Sequence, residues 1–179
     1  KARSIQESIN DLDKDIYAVW RCTSKSSIFL DRIKNTFYDS STFNHYKNKK
    51  IFYSMIERAK CKFVVHRMSR GGLGKHFGQS IRLRGGIPEY ENAWNNALAQ
   101  LSSINRRLIG VTITNKDAYY IITSTQEDSN SLLYIDPPYV HSTRMSKSCY
   151  DNEMSDKDHQ MILYECLQHK GKLIISGYN

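Results

Sequence analysis

The sequence lacks the features that define membrane and secreted proteins. No window of it approaches about 18 uninterrupted apolar residues, so it predicts no membrane-spanning helix. The opening stretch KARSIQES has no apolar core of the kind found in signal peptides, and it does not start with Met. We therefore expect a cytoplasmic protein, and we expect the chain to be an interior part of a longer product.

Cysteine and proline are both scarce. The four cysteines form no C-x-x-C pair and have no histidine at zinc-ligand spacing, which predicts reduced thiols and no metal site: Cys22, Cys61, Cys149 and Cys166. Only three prolines occur, and two of them are adjacent in the stretch LLYIDPPYV. Six of the nine glycines are concentrated in MSRGGLGKHFGQSIRLRGG. These two stretches stand out from an otherwise even composition.

Positive charge is plentiful but unevenly placed. The net charge is +8, yet residues 21–110 hold 17 Lys and Arg against 5 Asp and Glu, a balance of +12. The remaining residues hold 9 basic and 13 acidic side chains, a balance of −4. A local excess of this size is more typical of a surface that binds a polyanion than of a merely solubilising surface.

Apolar spacing predicts helices in the first half of the chain and an α/β pattern in the last third. Helical periodicity extends over residues 26–62, interrupted by a predicted polar loop at YDSSTFNHYKNKK, and returns over residues 90–108. Residues 79–84 alternate weakly, as a strand or ribbon does. Beyond them, strands at 108–114, 132–135 and 172–176 alternate with helices at 119–123 and 155–169.

This alternation is typical of a parallel α/β sheet, in which active sites lie at the carboxyl ends of the strands. Three carboxylates follow predicted strand ends, and we expect them on one rim of the sheet: Asp11, Asp117 and Asp136.

The stretch after the second of these strands has its own chemistry. Asp136 is followed by Pro137 and Pro138, which fix the backbone and offer no N–H donor, so the turn is stiff. A rigid carboxylate beside an unused carbonyl suits an amine with two N–H groups, and Tyr139 adds a flat face. A flipped nucleobase with an exocyclic amine, adenine or cytosine, fits this description. The alternative is a tight turn that ends a strand.

At this point the sequence resembles N6-adenine-specific DNA methyltransferases of the Dam type, especially phage and restriction–modification members. Four stretches match family motifs in family order: SINDLDKDIYAVWR, RRLIGVTITNKDAYYII, LLYIDPPYVHSTR and YDNEMSDKDHQMILYECLQHKGKLIISGYN. The resemblance covers most of the chain outside residues 30–66. It implies a partial Rossmann-like methyltransferase sheet, and a bacterial or phage-infected host.

The resemblance also implies S-adenosylmethionine as cofactor and double-stranded DNA as partner. Asp11 would accept hydrogen bonds from the ribose hydroxyls, and Asp117 from the cofactor's adenine amino group, although either carboxylate could instead be a helix cap. Asp136, which also borders the cofactor site, would hold the target amine together with the Pro137 carbonyl. Pro138 would keep the turn rigid, and Tyr139 would stack on the flipped base.

Between the second and third strand motifs, the family carries a target-recognition segment. The chain therefore divides into the start of the catalytic domain at 1–28, a mostly helical, basic insert at 29–103, and the rest of the catalytic domain at 104–179. SRGGLGKHFG resembles the Arg- and Gly-rich recognition stretch of the family, and a further arginine follows the catalytic motif. The predicted DNA contacts, each of which could instead be plain basic surface, are Arg70, Lys75, His76, Arg82, Arg84 and Arg144.

One family motif has no counterpart in the sequence. The F-x-G-x-G cofactor loop and the strand before it, which lies centrally in the family's sheet, are absent. We expect a gap in the sheet, weak cofactor binding and no activity for these 179 residues alone, with a missing N-terminal segment or a second chain completing the enzyme. The alternatives are a non-catalytic DNA-binding remnant, and a methyltransferase acting on N4 of cytosine or on RNA.

Overall fold

A computed structural model describes residues 6–138 and 153–177. The elements, in chain order, are β1 Glu7–Asn10, α1 Lys14–Lys25, α2 Ser27–Lys34, α3 Ser40–Asn48, α4 Met55–Arg67, a 3-10 turn Arg70–Gly72, β2 Leu83–Arg84, β3 Ile87–Pro88, α5 Glu89–Arg107, β4 Val111–Thr114, α6 Ala118–Ser124, β5 Leu132–Ile135, α7 Asp156–Gln168 and β6 Lys172–Ile175. The predicted α/β class is confirmed.

The described strands pair two by two rather than in one continuous sheet. β1 pairs with β4, β2 pairs with β3, and β5 pairs with β6. The β5–β6 pair is parallel, with Leu132 opposite Lys172 and Ile135 opposite Ile175. Whether a further strand joins these pairs into one sheet, as the expected gap implies, stays a prediction.

The chain divides into two compact units. The first contains residues up to Ile9 together with Lys14–Ile113, and the second contains Asn10–Asp13 together with the chain from Thr114 onward. These boundaries do not coincide with the predicted division at 28 and 103, because α1 shares a core with the helices of the predicted insert. Whether residues 29–103 act as a recognition segment stays a prediction.

The first unit is a helical assembly around large side chains spaced at helical intervals. Phe29 and Ile33 of α2, Val64 of α4 and Trp94 of α5 are each at most 2% exposed. Helix α2 begins where the Ser26 hydroxyl accepts a hydrogen bond from the Phe29 N–H at 3.1 Å, as an N-cap should. A second cluster in the same unit packs Leu108, Val111 and Ile113 against α1 and the end of α5.

The prediction of a polar loop at YDSSTFNHYKNKK is wrong, because most of it forms α3. The Asp39 side chain caps this helix by accepting from the Thr42 N–H at 2.7 Å. Phe43 then anchors α3 in the core at 2% exposure. One buried aromatic residue among polar neighbours leaves almost no periodic signal, so apolar spacing alone does not predict this helix.

The predicted strand or ribbon over residues 79–84 is confirmed only at its end. Leu83–Arg84 pairs antiparallel with Ile87–Pro88. The turn between them is made by Gly85 and Gly86 at φ +62° and +80°. Two successive residues with positive φ are what a tight hairpin turn requires, and glycine adopts them without steric cost.

The second unit has its own small core. Ile122 of α6 and Ile162 and Cys166 of α7 are buried against the inner face of β5 and β6. Helix α7 starts with a capping box in which Ser155 and Asp158 exchange side-chain and backbone hydrogen bonds. Among the described residues, no helix combines the length and the apolar composition that a membrane span requires.

Candidate active site

The first carboxylate of the site lies where the parallel pair β5–β6 ends. Asp136 follows β5 directly and is exposed. Its Oδ1 accepts a hydrogen bond from the hydroxyl of Ser176, which follows β6, and the Ser176 N–H donates to the Ile135 carbonyl at 3.0 Å. The end of the neighbouring strand therefore fixes the orientation of the Asp136 side chain. The bond from Ser176 to Asp136 was not predicted from the sequence, because the two residues are 40 positions apart.

The two prolines after Asp136 are half-buried. No hydrogen bond from the described part of the chain reaches the carbonyl oxygen of Pro137. That this carbonyl is available to an amine stays a prediction. Tyr139 and Arg144 lie outside the described residues.

The second carboxylate lies between β1 and α1. Asp11 is half-buried, and its Oδ1 accepts from the Asp13 N–H at 2.8 Å. Its own N–H donates to the Thr114 carbonyl at 3.3 Å, next to the end of β4. Asp11 lies between the end of β1 at Asn10 and the start of α1 at Lys14. Its bond to the Asp13 N–H shapes the turn into the helix.

The third carboxylate follows β4 and opens α6. Asp117 is exposed, and its Oδ1 accepts from the Tyr119 N–H at 2.8 Å. The N-cap alternative for Asp117 is therefore correct. It does not exclude a binding role, since the cap uses one of the two carboxylate oxygens. Beside it, the Lys116 ammonium lies 4.1 Å from the centre of the Tyr120 ring.

Two asparagines, neither identified from the sequence, join the loops that carry Asp11 and Asp117. Asn10 Nδ2 donates to the Lys116 carbonyl at 2.9 Å, and Asn10 Oδ1 accepts from the Lys116 N–H at 3.0 Å. In return, Asn115 Nδ2 donates to the carbonyls of Asp11 and Leu12 at 2.7 and 2.8 Å. We call Asn10 and Asn115 the asparagine clamp. Their partners are more than 100 residues away, which hides the pairing from local pattern analysis.

All three carboxylates therefore belong to the second compact unit, which takes Asn10–Asp13 from the start of the chain. Each lies within three residues of the end of its strand. That they share one rim, and the roles assigned to them, stay predictions. Across residues 6–138 and 153–177, no group of three or more His, Cys, Asp or Glu side chains is arranged to hold a metal ion.

The described cysteines lie outside this site. Cys22, Cys61 and Cys166 are buried free thiols. Burial raises the pKa of each thiol above its ordinary value. They are therefore poor nucleophiles at neutral pH, and their place in the hydrophobic clusters indicates a packing role.

The glycine-rich stretch folds into a closed loop in the first unit, which we call the glycine loop, residues 69–78. The Arg70 N–H donates to the His76 carbonyl at 2.8 Å, and the Gly78 N–H donates to the Met68 carbonyl at 2.8 Å. Gly71, Gly72 and Gly74 have positive φ, so the chain reverses tightly between these bonds. As a result, the side chains of three predicted DNA contacts are presented to solvent: Arg70, Lys75 and His76.

The β2–β3 hairpin carries the other two described DNA candidates. Arg82 and Arg84 are both exposed. Arg84 forms an ion pair with Glu89, with an Nη2–Oε1 distance of 2.9 Å, so part of its charge is already neutralised. The structure thus groups the predicted contacts on two neighbouring stretches of one unit, and it leaves their role untested.

Basic residues on α4 were not singled out from the sequence. Arg58, Lys60 and Arg67 each lie over an aromatic ring, 5.0 to 5.9 Å from its centre. The rings hold these cations at the surface with less freedom than a solvated side chain has. Two of the three rings, Phe52 and Tyr46, lie outside α4, so the α4 sequence alone gives no signal of these contacts.

Comparison with known proteins identifies one family that the chain matches. Residues 2–178 match the model of a protein family described as D12 class N6 adenine-specific DNA methyltransferase. No curated protein matches the chain.

Proposed function

The chain belongs to the family of D12 class N6 adenine-specific DNA methyltransferases, and from this premise we propose that it transfers a methyl group from S-adenosylmethionine to N6 of adenine within a specific DNA sequence. The family consists of enzymes that act on adenine in DNA, as the resemblance implied. The observation that supports the finer proposal is at the end of β5, where the Ser176 hydroxyl donates to the carboxylate of Asp136, the residue directly before Pro137.

The residues present suit the adenosine end of the cofactor. Carboxylates that follow strand ends accept hydrogen bonds from hydroxyl and amino groups, so Asp11 would hold the ribose and Asp117 the adenine amine. The Asp13 N–H already binds one oxygen of Asp11, and the Tyr119 N–H binds one oxygen of Asp117. These bonds set the orientation of both side chains before the cofactor binds. When bound, the cofactor supplies an electrophilic methyl group on a sulfonium.

The reaction would depend mainly on how the chain holds the base. Asp136 and the Pro137 carbonyl would accept hydrogen bonds from the two N–H groups of the flipped adenine. This would aim the lone pair of the amine nitrogen at the methyl group. Because the methyl group is already electrophilic, correct positioning supplies most of the catalysis, and the amine can lose its proton after transfer. Asp136 thus needs to act as an oriented acceptor rather than as a strong base.

The chemical test identifies the methylated nucleoside. The chain is expressed in a host without adenine methylation, alone and fused to a strand-and-loop segment carrying F-x-G-x-G from another family member. We expect N6-methyldeoxyadenosine in DNA from the fused form only, since the glycine-containing loop has no counterpart in the 179 residues. Asp136→Ala in the fused form should abolish it. N4-methyldeoxycytidine instead would support the cytosine alternative.

The second candidate function is a DNA-binding module without catalysis, favoured by the absent loop. It predicts that the fused form yields no methylated nucleoside. It also predicts DNA affinity that neither cofactor nor Asp136→Ala changes. The same DNA-binding assay on wild-type and variant protein separates the two functions.

A further inference from the structure

The loops after β1 and β4 are joined by side chains rather than by continued strand pairing. At the end of β4, the Asp11 N–H donates to the Thr114 carbonyl at 3.3 Å. The Asn10 amide then pairs with both backbone groups of Lys116, as another strand would. It also accepts from the Thr114 hydroxyl at 2.8 Å.

The second half of the clamp works in the opposite direction. Asn115 Nδ2 donates to two successive carbonyls, those of Asp11 and Leu12. Both asparagines therefore reach across from their own loop to the backbone of the other. The two segments of the chain can therefore diverge after the strands and enter α1 and α6, while the clamp keeps their relative position fixed.

The clamp acts at the positions where the two carboxylates leave the backbone. Asn10 directly precedes Asp11, and its partner Lys116 directly precedes Asp117. Each carboxylate is oriented in the same way, with Oδ1 accepting from the N–H two residues later at 2.8 Å. Local bonds thus set each side chain, and the clamp sets the spacing between them.

We infer that Asn10 and Asn115 are positioning residues that hold Asp11 and Asp117 at the spacing required by the adenosine part of the cofactor. The inference rests on the proposed function, since it takes the two carboxylates as the groups that bind adenosine. It adds that the affinity for the ligand depends on the clamp. Losing the clamp should weaken binding of adenosine as much as binding of the whole cofactor, because both carboxylates would contact only the adenosine part.

The test measures binding of adenosine and of S-adenosylmethionine to the 179-residue protein by ligand-observed NMR, which detects weak complexes. Asn115→Asp keeps the side-chain volume but replaces the donor with an acceptor facing two carbonyls. We expect it to lower the affinity for both ligands by the same factor, about tenfold. Asn10→Asp loses one of the three hydrogen bonds of this side chain and should lower both affinities by about threefold. Asn10→Ala loses all three and should lower both affinities further.

Asn105→Asp is the matched control. Asn105 Nδ2 also donates to two successive carbonyls, those of Thr23 and Ser24 at 2.7 and 3.2 Å, but within the first compact unit. We expect a drop in the thermal midpoint similar to that of Asn115→Asp, with ligand affinity unchanged. A purely structural role for the clamp predicts equal effects from the two variants.

The outcomes separate the inference from the proposed function. If the wild-type chain binds neither ligand, the proposed cofactor role of Asp11 and Asp117 fails, and the inference fails with it. If the wild-type chain binds both and Asn115→Asp and Asn10→Ala leave the affinities unchanged, only the inference is overturned. A loss for S-adenosylmethionine without a loss for adenosine also overturns it.

Discussion

Asp39 shows how much one residue can contribute to a local structure. Its carboxylate accepts hydrogen bonds from the Ser41 hydroxyl, the Thr42 N–H and the Thr42 hydroxyl, all within 2.7 Å. These bonds lower the pKa of Asp39 to about 2, with the Ser41 hydroxyl as the largest cause. They hold the start of a helix that has a single fully buried anchor, Phe43.

We expect Asp39→Ala to lower the free energy of unfolding by about 1 kcal/mol at pH 7, the usual effect of losing an N-cap. Because the folded-state pKa is lowered, the charged cap stabilises the protein fully above pH 3.8, and this contribution is lost as the pH falls towards about 2. Urea unfolding at several pH values measures both effects.

Asp39→Asn is the control, because asparagine caps helices as well as aspartate does but does not titrate. It should retain most of the stability at pH 7 while removing the Asp39 contribution to acid sensitivity. If Asp39→Ala and Asp39→Asn lose the same stability at pH 7, charge rather than capping geometry holds α3.

Ser176 offers a residue-scale prediction for the active site. Removing its hydroxyl by Ser176→Ala leaves the Asp136 carboxyl in place but without its orienting partner. We expect affinity for duplex DNA with an adenine opposite an abasic site to fall about tenfold, because an unpaired adenine is already free to enter the pocket. Affinity for fully paired DNA should be unchanged. Ser131→Ala is a control, since that hydroxyl binds the Asp128 carbonyl. Equal losses on the two DNAs would contradict an effect through the base.

At the scale of elements, the glycine loop and the β2–β3 hairpin carry the charges predicted to contact DNA. Arg70 and Lys75 are exposed, and neither forms an ion pair within the described residues. Arg84 is partly neutralised by Glu89. A cation that neutralises a phosphate releases a counterion condensed on the DNA, and a cation already paired with a carboxylate neutralises a phosphate less fully.

We therefore expect Arg70→Ala and Lys75→Ala each to weaken DNA binding and to lower the slope of log affinity against log salt by about one. Arg84→Ala should have a smaller effect on this slope. Lys170→Ala, which removes a lysine paired with Glu127, should leave the slope unchanged. Fluorescence anisotropy with duplex DNA at several salt concentrations measures it. Unchanged slopes for Arg70→Ala and Lys75→Ala would show that the basic stretch is only solubilising.

The elements that sequence patterns predicted well are those with a long or repeated apolar signal. Helix α5 was predicted over 90–108 and spans Glu89–Arg107, and β5 was predicted with the bounds it has. Helix α3 was missed because a side-chain cap and one aromatic anchor hold it. The asparagine clamp and the Ser176–Asp136 bond were missed because hydrogen bonds across 40 to 106 residues leave no local periodicity. The carboxylates themselves were identified from chemistry and strand ends.

At the scale of the whole molecule, the chain has separate hydrophobic clusters in its two compact units. The first unit contains both tryptophans: Trp94 is 2% exposed in the larger cluster, and Trp20 packs against Leu108, Val111 and Ile113. The second unit is built around Ile122, which is 1% exposed. Tryptophan fluorescence therefore reports on the first unit, whereas far-UV circular dichroism reports on the helices of both.

Ile122→Ala should consequently destabilise the second unit alone. Truncating a fully buried isoleucine costs about 2–5 kcal/mol, so α6 and α7 should unfold at lower urea concentration. We expect an earlier phase in circular dichroism, with an unchanged midpoint in tryptophan fluorescence. Val64→Ala, in the core of the first unit, should lower the fluorescence midpoint instead. If Ile122→Ala moves both midpoints together, the chain unfolds as one cooperative body, and the units are compact without being independently stable.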